Sequence, residues 1–403
     1  MPYLAAYEYI MTHAHKALSP RFLQVGASAT MAMTQMARDL RAQGRDVISL
    51  SMGQPNFDTP AHICDAATLA MKTGHTRYTA VDGILELKAA ICAKFKRDNN
   101  LDYSPSEINV SPGGKAVLFN ALAVTVSDGD DVIIPAPCWV SYPDMVKLCG
   151  GRPVIVPCAA AQGFKITPQQ LSAAMTPRTK WLILNSPSNP TGAVYSAQEL
   201  RELAKVLRAH PQVLVLCDDI YEHLIYDDIE FATMAQAAPD LKSRVLTMNG
   251  MSKAYAMTGW RIGYAGGPDW LIKAMAKYMG QTTSNPSSIS QWASVAALNG
   301  SQDFLDDWRA DYAARRDYAL GRIAQIEGLS CNTPPGAFYV FVNCEARLNG
   351  KTDSDLALDI LQATGVASIA GSAFHMSGYL RMSYGASQTE LVTAFDRLEA
   401  YFN

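Results

Sequence analysis

The chain of 403 residues is 49% hydrophobic and 18% charged, a balance typical of a soluble protein that is long enough for two domains. Its formal net charge of -3 argues against a surface that binds nucleic acid or an anionic membrane. The sequence has neither the basic start and apolar core of a secretory signal nor a run of roughly 18 apolar residues that would span a membrane. We therefore expect a cytoplasmic protein that acts on small molecules or binds another protein.

The eight cysteines lack the close pairing that is typical of metal sites. None belongs to a C-x-x-C motif, and several lie inside apolar runs, which argues against a bound metal. Without a secretory signal we expect reduced thiols. The cysteines are Cys64, Cys92, Cys138, Cys149, Cys158, Cys217, Cys331 and Cys344.

The first sixty residues contain one predicted helix. Residues 31–43 show the spacing of an amphipathic helix, and Gly44 would end it. Residues 1–23 are predicted to form an arm without a core of its own. We assign residues 24–62 to the first part of a small domain, which the C-terminal part of the chain would complete.

Between residues 63 and 302 the sequence alternates short apolar runs with helical stretches. The apolar runs are rich in Val, Ile and Leu without polar alternation, which predicts strands buried on both faces of a mainly parallel sheet. Strands are predicted at residues 131–136, 152–157, 180–185, 212–218, 244–249 and 261–267. Helices are predicted at residues 115–126, 198–209 and 270–278. This alternation indicates a large α/β domain in which helices flank the sheet.

The pattern changes near Ser301. Residues 304–326 predict one helix, which at 1.5 Å per residue would be about 34 Å long and could bridge two domains. A strand, a helix, a short strand and a final helix are predicted after it. We assign residues 303–403 to the second part of the small domain, which is then of the α+β type.

Polar residues follow two of the predicted strands, at the place where an open parallel sheet binds its ligands. Asp218 and Tyr221 follow the strand at 212–218, and Asn189 follows the strand at 180–185. A buried carboxylate needs a partner, and a cationic ring nitrogen would supply one. A helix cap is the alternative for Asp218, and an ordinary turn is the alternative for Asn189.

Two further segments carry cationic groups. Gly113, Gly114 and Lys115 begin a predicted helix, where small residues let backbone amides approach an anion, although the spacing is not that of a Walker loop. Lys253 has uncharged neighbours, which lower a lysine pKa and leave the neutral amine that Schiff-base chemistry needs. A solvated surface lysine is the alternative. Arg261 can hold a phosphate through two parallel hydrogen bonds.

Taken in order, nine motifs make the chain resemble the fold-type-I pyridoxal-phosphate aminotransferases, and among them the bacterial aspartate aminotransferase branch. The motifs extend from about Pro20 to Phe402. They are SMGQPNFDTP, RYTAVDGILELK, SPGGK, PCWVSYP, NSPSNPTG, DDIYEH, NGMSKAYAMTGWRIGY, PGAFYVF and YLRMSYG. The resemblance implies a large domain with a mainly parallel sheet, a smaller α+β domain, and pyridoxal 5'-phosphate as the cofactor.

The resemblance also implies catalytic roles. Lys253 would form a Schiff base with the cofactor and would then move a proton between substrate and cofactor. Asp218 would keep the pyridine nitrogen protonated, while Asn189 and Tyr221 would hydrogen-bond the ring hydroxyl. Trp139 would stack on the ring, and a core aromatic is its alternative role. The cofactor would supply the electron sink, and the protein would supply orientation and charge.

The cofactor phosphate is a dianion and needs several donors. The resemblance assigns this task to Arg261, Ser252 and the backbone amides of Gly114 and Lys115. Tyr78 resembles a tyrosine that reaches the phosphate from a partner subunit, and ordinary packing is its alternative role. The active unit would then be a homodimer with two shared sites.

Substrate recognition would depend on both carboxylates of a dicarboxylic amino acid. Arg381 is implied to pair with the α-carboxylate. In the branch that the chain resembles, the lysine of the GGK motif, here Lys115, binds the distal carboxylate with hydroxyls near Ser28 and Thr30. Another branch uses an arginine of the partner subunit, which has no clear counterpart in residues 279–293. The residues implied to contact the substrate are Ser28, Thr30, Gly53, Lys115, Trp139, Asn189 and Arg381.

The predicted reaction transfers an amino group from aspartate to 2-oxoglutarate, giving oxaloacetate and glutamate. An aromatic amino acid or prephenate is the alternative substrate on the same scaffold, and β-elimination is an alternative reaction. A catalytically silent regulatory module is a remote alternative, against which the intact set of Lys253, Asp218 and Arg261 argues. The expected partners are amino acids and 2-oxo acids, without nucleic acid, membrane or metal.

Two residues depart from the family pattern. Asp219 stands where the branch usually has glutamate, a change that we expect to be tolerated. Ala370 stands before GSAF, where proline is frequent, and it leaves the geometry of that loop open.

Overall fold

The computed structural model describes residues 18–26 and 28–403, so most of the arm predicted at residues 1–23 lies outside the described residues. In the described part of the chain, no helix combines the length and the apolar character that crossing a membrane requires. The α-helices are α1 (Ala29–Ala42), α2 (Ala61–Lys72), α3 (Leu85–Asn99), α4 (Gly114–Thr125), α5 (Ser141–Leu148), α6 (Pro168–Ala174), α7 (Ala197–Arg208), α8 (Met234–Ala237), α9 (Asp269–Met279), α10 (Ser288–Asn299), α11 (Phe304–Gln325), α12 (Asp353–Thr364) and α13 (Gln388–Phe402).

The strands form three sheets. They are β1 (Ile48–Ser49), β2 (Ile108–Ser111), β3 (Asp131–Ala136), β4 (Arg152–Pro157), β5 (Thr179–Asn185), β6 (Leu214–Asp218), β7 (Val245–Gly250), β8 (Gly263–Gly266), β9 (Ser330–Cys331), β10 (Tyr339–Asn343), β11 (Val366–Ala367), β12 (Ile369–Ala370) and β13 (Tyr379–Ser383). The largest sheet has seven strands in the order β2-β8-β7-β6-β5-β3-β4.

The seven-stranded sheet is mainly parallel, as predicted. Strands β3 to β7 pair in parallel with one another, whereas β8 runs antiparallel to both β7 and β2. The sequence predicts β8 as a strand without indicating its reversed direction, and it does not predict β2 at all. The α/β class with helices flanking a mixed sheet is therefore confirmed.

Helices cover both faces of this sheet. In β5, Trp181 and Ile183 face one helical layer, formed by α4, α5 and α9, while Leu182 and Leu184 face the other, which includes α2, α3, α7 and α10. Successive side chains of a strand point to opposite faces. An apolar run without polar alternation therefore supplies both cores, as it does in buried parallel sheets.

Helix α7 illustrates how local sequence sets the bounds of the outer helices. The Ser196 hydroxyl accepts a hydrogen bond from the Glu199 backbone, and the Glu199 carboxylate accepts one from the Ser196 backbone at 2.8 Å. This capping box satisfies amides that the first turn leaves free. Leu200, Leu203 and Leu207 then recur on one face and are buried against the sheet.

The remaining strands form a four-stranded sheet in the order β12-β13-β10-β9 and a two-stranded sheet of β1 and β11. Helices α11, α12 and α13 pack around the four-stranded sheet. Strand β1 pairs in parallel with β11, and Ala37 of α1 packs against Leu361 of α12. The segment before residue 62 thus packs with the C-terminal part of the chain, and domain boundaries at residues 24, 63 and 303 stay a prediction.

The reversed strand brings separate segments to one edge of the large sheet. Asn185, Asp218 and Met248 are in register at or near the carboxyl ends of β5, β6 and β7. Because β8 is antiparallel, its first residue Gly263 pairs with the last residue of β7 and with Ser111 at the end of β2. The residues just before β8 and just after β2 therefore lie at the same edge.

Candidate active site

A cavity of about 390 Å³ opens at this edge, a volume within the range of sites for small molecules. It lies between the carboxyl ends of the large sheet and residues of β10 and β13. The structure brings thirteen of the predicted site residues to its wall, namely Ser28, Thr30, Gly53, Gly114, Lys115, Trp139, Asn189, Asp218, Tyr221, Ser252, Lys253, Arg261 and Arg381. Tyr78 lies elsewhere.

Lys253 follows β7 by three residues and carries a buried amine. Its Nζ donates a hydrogen bond to the Gly53 carbonyl at 2.5 Å. Burial lowers the pKa of Lys253 to about 8, and the guanidinium groups of Arg381 and Arg261 act in the same direction, while Asp218 opposes them. A lysine with this pKa is neutral in part of its population near neutral pH, so that it can attack an aldehyde.

Asp218 ends β6 and is buried in the cavity wall. Its Oδ2 accepts a hydrogen bond from the Tyr142 hydroxyl at 2.6 Å, and its backbone oxygen accepts one from Asn185 at 2.8 Å. Burial raises the pKa of Asp218 to about 6, although the Tyr142 hydrogen bond lowers it. A cation placed beside this carboxylate, such as a protonated ring nitrogen, would favour its charged form.

An anion site forms where α4 begins. Gly113 precedes the helix with a φ of 90°, and a side chain there would overlap the Arg261 guanidinium. Arg261 donates through Nη1 to the Thr258 carbonyl at 3.0 Å. The guanidinium thus lies across a helix N-terminus whose amides and dipole favour negative charge. This donor set, with a glycine that leaves room for it, fits the phosphate dianion of pyridoxal phosphate.

Arg381 lies on β13 and is fully enclosed by the protein. Its Nη1 donates to Asn189 Oδ1 at 2.9 Å and its Nη2 to the Ser51 carbonyl at 2.5 Å. Its Nε has no partner among the described residues. A buried donor without an acceptor costs free energy, and the carboxylate of an amino acid is an acceptor of suitable charge and shape.

Lys115 provides a second cation in the cavity wall. Its Nζ lies 4.8 Å from the centroid of the Trp139 ring, and burial together with Arg261 lowers the pKa of Lys115. Ser28 and Thr30 also line this cavity. Two hydroxyls and an amine in one wall form a polar end to which a distal carboxylate could bind.

Tyr78 lies outside the cavity. Its side chain is 92% exposed, and it lines a surface depression with Ser284 and Asn285. An exposed tyrosine of this kind can act in this cavity only if it belongs to another copy of the chain. The role assigned to Tyr78 therefore stays a prediction.

The structure adds two tyrosines that the sequence reasoning missed. Tyr142 donates to Asp218, and Tyr339 lines the cavity with its hydroxyl 2.7 Å from that of Tyr221. Both lie in quoted motifs, PCWVSYP and PGAFYVF. A buried hydroxyl needs a hydrogen-bond partner, so a tyrosine inside an apolar run is the feature of the sequence that indicates such a contact.

A buried ion pair connects the segment 218–223 to helix α3. Glu222 pairs with Lys94 of α3, and its other oxygen accepts a hydrogen bond from Asn99 at 2.9 Å. Although burial raises it, Lys94 and His223 hold the pKa of Glu222 well below its usual range. Asp98, Glu222 and His223 lie close enough together to resemble a metal site, but the Lys94 ammonium already compensates Glu222.

Both residues that depart from the family pattern, Asp219 and Ala370, are buried. Asp219 is buried, and burial raises its pKa well above the usual range, as do Glu222 and Asp218. Its Oδ2 has no hydrogen-bond partner among the described residues. Ala370 has a φ of -60°, which is close to the angle that proline imposes. Alanine therefore adopts the conformation in which proline would be accepted.

Pyridoxal phosphate could bind beside the Lys253 amine only if the same cavity also accommodates a phosphate and a ring nitrogen. Arg261 with the start of α4 meets the first requirement, and Asp218 meets the second. These requirements, at the carboxyl edge of a mainly parallel sheet, define the pyridoxal-phosphate class of enzymes.

Comparison with known proteins narrows this class. The family model for aminotransferase class I and II matches residues 45–398. The aspartate/prephenate aminotransferase of Cereibacter sphaeroides is 51% identical over 393 residues, which cover 95% of this chain and 98% of the relative. The chain belongs to the class I and II aminotransferases, and it is a pyridoxal-phosphate-dependent transaminase.

Two solved structures share the fold closely. The crystal structure of the aspartate aminotransferase from Rhizobium meliloti matches with a TM-score of 0.92 at 49% identity, covering 95% of this chain and 98% of that one. The aspartate aminotransferase from Thermus thermophilus with maleate matches with a TM-score of 0.91 at 41% identity, covering 95% and 99%. The predicted fold type and family branch are thereby confirmed.

Proposed function

We propose that this transaminase transfers the amino group of aspartate to 2-oxoglutarate, giving oxaloacetate and glutamate. The observation that carries the proposal is the presence of two separate cationic groups, Arg381 and Lys115, in the wall of one cavity. A dicarboxylic amino acid presents two negative charges that these groups would neutralise. The names of the relatives agree, and the Thermus thermophilus structure contains maleate, which is a dicarboxylate.

The cofactor, when bound, supplies an electron sink for the reacting carbon. In the proposed arrangement, Arg261, Ser252 and the first amides of α4 hold its phosphate. Asp218 pairs with the ring nitrogen, and Tyr142 keeps that carboxylate in place through the 2.6 Å hydrogen bond. Asn189 and Tyr221 face the ring hydroxyl, and Trp139 covers one face of the ring.

Lys253 is the proposed general base. As a neutral amine it takes the proton from the substrate Cα and delivers it to the cofactor carbon that bore the aldehyde. In the reverse half-reaction it carries the proton back, and a pKa near the working pH is best for both transfers. The pKa of about 8 suits this task. Arg381 holds the α-carboxylate and so fixes the Cα–H bond relative to the amine.

An aromatic amino acid or prephenate is the second candidate substrate. The cavity wall includes Met31, Met52 and Leu118 beside Trp139, and these apolar groups could cover a ring. The name of the Cereibacter sphaeroides relative includes both aspartate and prephenate. An aromatic amino acid would use every proposed role except that of the distal carboxylate site, whereas prephenate carries a second carboxylate that this site could bind.

A substrate panel tests the proposal. The purified protein should absorb visible light and lose this absorption on addition of aspartate. In Lys115→Ala, kcat/KM for aspartate should fall by about 10- to 100-fold, since a hydrogen bond to a charged group contributes about 1.5–3 kcal/mol. The value for alanine should stay within about twofold because alanine lacks the distal carboxylate.

The matched control is Lys273→Ala, which removes an exposed lysine paired with Asp269 at 2.6 Å and should leave every substrate unaffected. Equal losses for aspartate and alanine in Lys115→Ala would refute the distal carboxylate assignment. A higher kcat/KM for phenylalanine or prephenate than for aspartate would favour the second candidate. No spectral change with any dicarboxylic amino acid would refute aspartate transamination.

The assembly and location complete the proposal. We propose a homodimer in which Tyr78 of each subunit contacts the phosphate held by its partner, which would give the exposed phenol a binding role. We further propose a cytoplasmic location. All eight cysteines are free in the structure, as expected in a reducing compartment.

A further inference from the structure

Tyr339 connects two parts of the site that the proposed function treats separately. It is the first residue of β10, is fully buried, and lines the cavity. Its hydroxyl lies 2.7 Å from the Tyr221 hydroxyl, and its ring centroid lies 4.5 Å from the guanidinium carbon of Arg381. One side chain therefore contacts both the residue proposed to face the ring hydroxyl and the residue proposed to bind the α-carboxylate.

Either hydroxyl could donate in the contact between Tyr221 and Tyr339. Each phenol has one proton, and the only hydrogen bond of the Tyr339 hydroxyl among the described residues is the one with Tyr221. If Tyr221 donated to Tyr339, it would have no proton left for the cofactor. If Tyr339 donates instead, the Tyr221 proton is free, and Tyr221 becomes a stronger donor because hydrogen bonds in a chain polarise one another.

The ring of Tyr339 restrains the arginine from a different side. The Arg381 guanidinium lies between the Tyr339 ring at 4.5 Å and the Phe374 ring at 5.1 Å. Asn189 and Ser51 fix the two terminal nitrogens. Two rings and two hydrogen bonds determine the plane of the guanidinium, and two-pronged recognition of a carboxylate depends on that plane.

We propose that Tyr339 is a positioning residue with two separable roles: its hydroxyl directs the Tyr221 proton towards the ring oxygen of the cofactor, and its ring orients Arg381 for the substrate carboxylate. This inference rests on the proposed function, because it needs the cofactor ring beside Tyr221. The two roles belong to different atoms of one side chain, so different substitutions separate them.

Two substitutions and two measurements test the proposal. Tyr339→Phe removes the hydroxyl and keeps the ring, whereas Tyr339→Leu removes both. The first measurement is the pKa at which the visible absorption of the cofactor-loaded enzyme titrates. The second is the dissociation constant of maleate, an unreactive dicarboxylate. Neither measurement depends on turnover.

In Tyr339→Phe the pKa at which the visible absorption titrates should rise by about 0.5 unit. Tyr221 is then a weaker hydrogen-bond donor and stabilises the negative ring oxygen of the cofactor less, so the titrating proton is held more tightly. The maleate dissociation constant should change by less than about twofold, since the ring that orients Arg381 is kept. In Tyr339→Leu the pKa should rise equally, and the dissociation constant should increase by about five- to thirtyfold.

A double-substitution cycle separates this role from general damage. Tyr221→Phe alone should raise the pKa of the visible absorption by about one to two units. Adding Tyr339→Phe to that variant should cause no further shift, because the hydroxyl of Tyr339 acts only through Tyr221. Tyr384→Phe is the control: this buried hydroxyl donates to the Ala337 carbonyl at 3.2 Å, and its removal should change neither quantity.

The outcomes are distinct. A visible absorption that titrates in the wild type but does not shift in Tyr339→Phe overturns the role of the hydroxyl and leaves the proposed function intact. Unchanged maleate binding in Tyr339→Leu overturns the role of the ring. A further shift in the Tyr221→Phe background also contradicts the proposal. A wild-type protein that shows no visible absorption with the cofactor overturns the proposed function together with this inference.

Discussion

At the scale of single residues, the site depends on how burial changes proton affinity. Lys253 and Asp218 lie in the same cavity, and burial moves their pKa values towards each other, to about 8 and about 6. Each shift disfavours the charged form of its group. A cofactor that brings a negative phosphate and a protonatable ring nitrogen would relieve the cost of both.

The pKa of Lys253 leads to a prediction for cofactor loading. The rate at which the cofactor-free protein gains visible absorption should rise with pH and level off above about pH 8, because only the neutral amine attacks the aldehyde and its fraction grows as pH passes the pKa. Stopped-flow absorbance measurements between pH 6 and about 10 would measure this, and Lys253→Ala, which has no amine to react, is the control. A rate that still rises steeply at the upper end of this range, as expected for the ordinary lysine value of 10.5, would contradict the low-pKa amine.

The predictable residues share one property. Lys253, Asp218 and Asn189 follow strands within a few positions, and the rule for ligand sites in parallel sheets applies to them directly. Tyr142 and Tyr339 were missed because their partners lie 76 and 118 positions away in the chain. Such pairings depend on the packing of separate segments, which no local pattern contains.

At the scale of elements, the segment 218–223 is held from two sides. Tyr221 faces the cavity, while Glu222 points to α3 and pairs with Lys94, whose side chain is completely buried. Ion pairs that are removed from water depend strongly on both partners. The buried pair therefore secures the same segment that presents Asp218 and Tyr221.

We predict that Lys94→Met lowers the free energy of unfolding by about 3–5 kcal/mol, because it leaves the Glu222 charge buried without its partner. Urea denaturation measures this, and Glu222→Gln added to Lys94→Met should recover part of the loss. The control is Lys96→Met on the same helix, whose 55% exposed side chain pairs with Asp102, so its loss should stay below about 1 kcal/mol. Similar losses in the two single variants would show that the buried pair is no more important than a surface pair.

Elements with a strong local signal were the most predictable: strands β3 and β4 have the predicted bounds, whereas helices α2 and α3 are not among the predicted elements. The prediction of residues 198–209 differs from the observed α7 by one residue at each end, since the capping box marks the start and the leucine spacing marks the buried face. Strand β2 has only four residues, too few for a periodic signal. The direction of β8 depends on its neighbours in the sheet, and its own residues are compatible with either direction.

At the scale of the whole molecule, Tyr78, which is predicted to contact the cofactor, lies on the surface of the described chain. Tyr78 is far more exposed than most large aromatic side chains, and the proposed homodimer would give it a place. In that arrangement each site combines Lys253 of one subunit with Tyr78 of the other. A symmetric dimer repeats the same contact twice.

Hybrid dimers test this arrangement. We predict that Tyr78→Ala and Lys253→Ala, each strongly impaired alone, regain about a quarter of wild-type activity when the two chains are unfolded and refolded together in equal amounts, because half of the dimers are hybrids with one intact site. A mixture of Lys253→Ala with Asp218→Ala is the control, since both residues belong to the same subunit's site and no intact site can form. An absence of recovery in the first mixture would place Tyr78 outside the shared site.

The reversed direction of β8 has a consequence for how the cofactor phosphate would be bound. Backbone hydrogen bonds of β8 to both β2 and β7 anchor the segments that carry Gly113 and Arg261 to a common framework. Their donors are therefore aimed before any ligand arrives, and little freedom remains to be lost on binding. The phosphate would bind to hydrogen-bond donors that are already in position. A small molecule can then bind tightly because the chain does not have to become ordered around it.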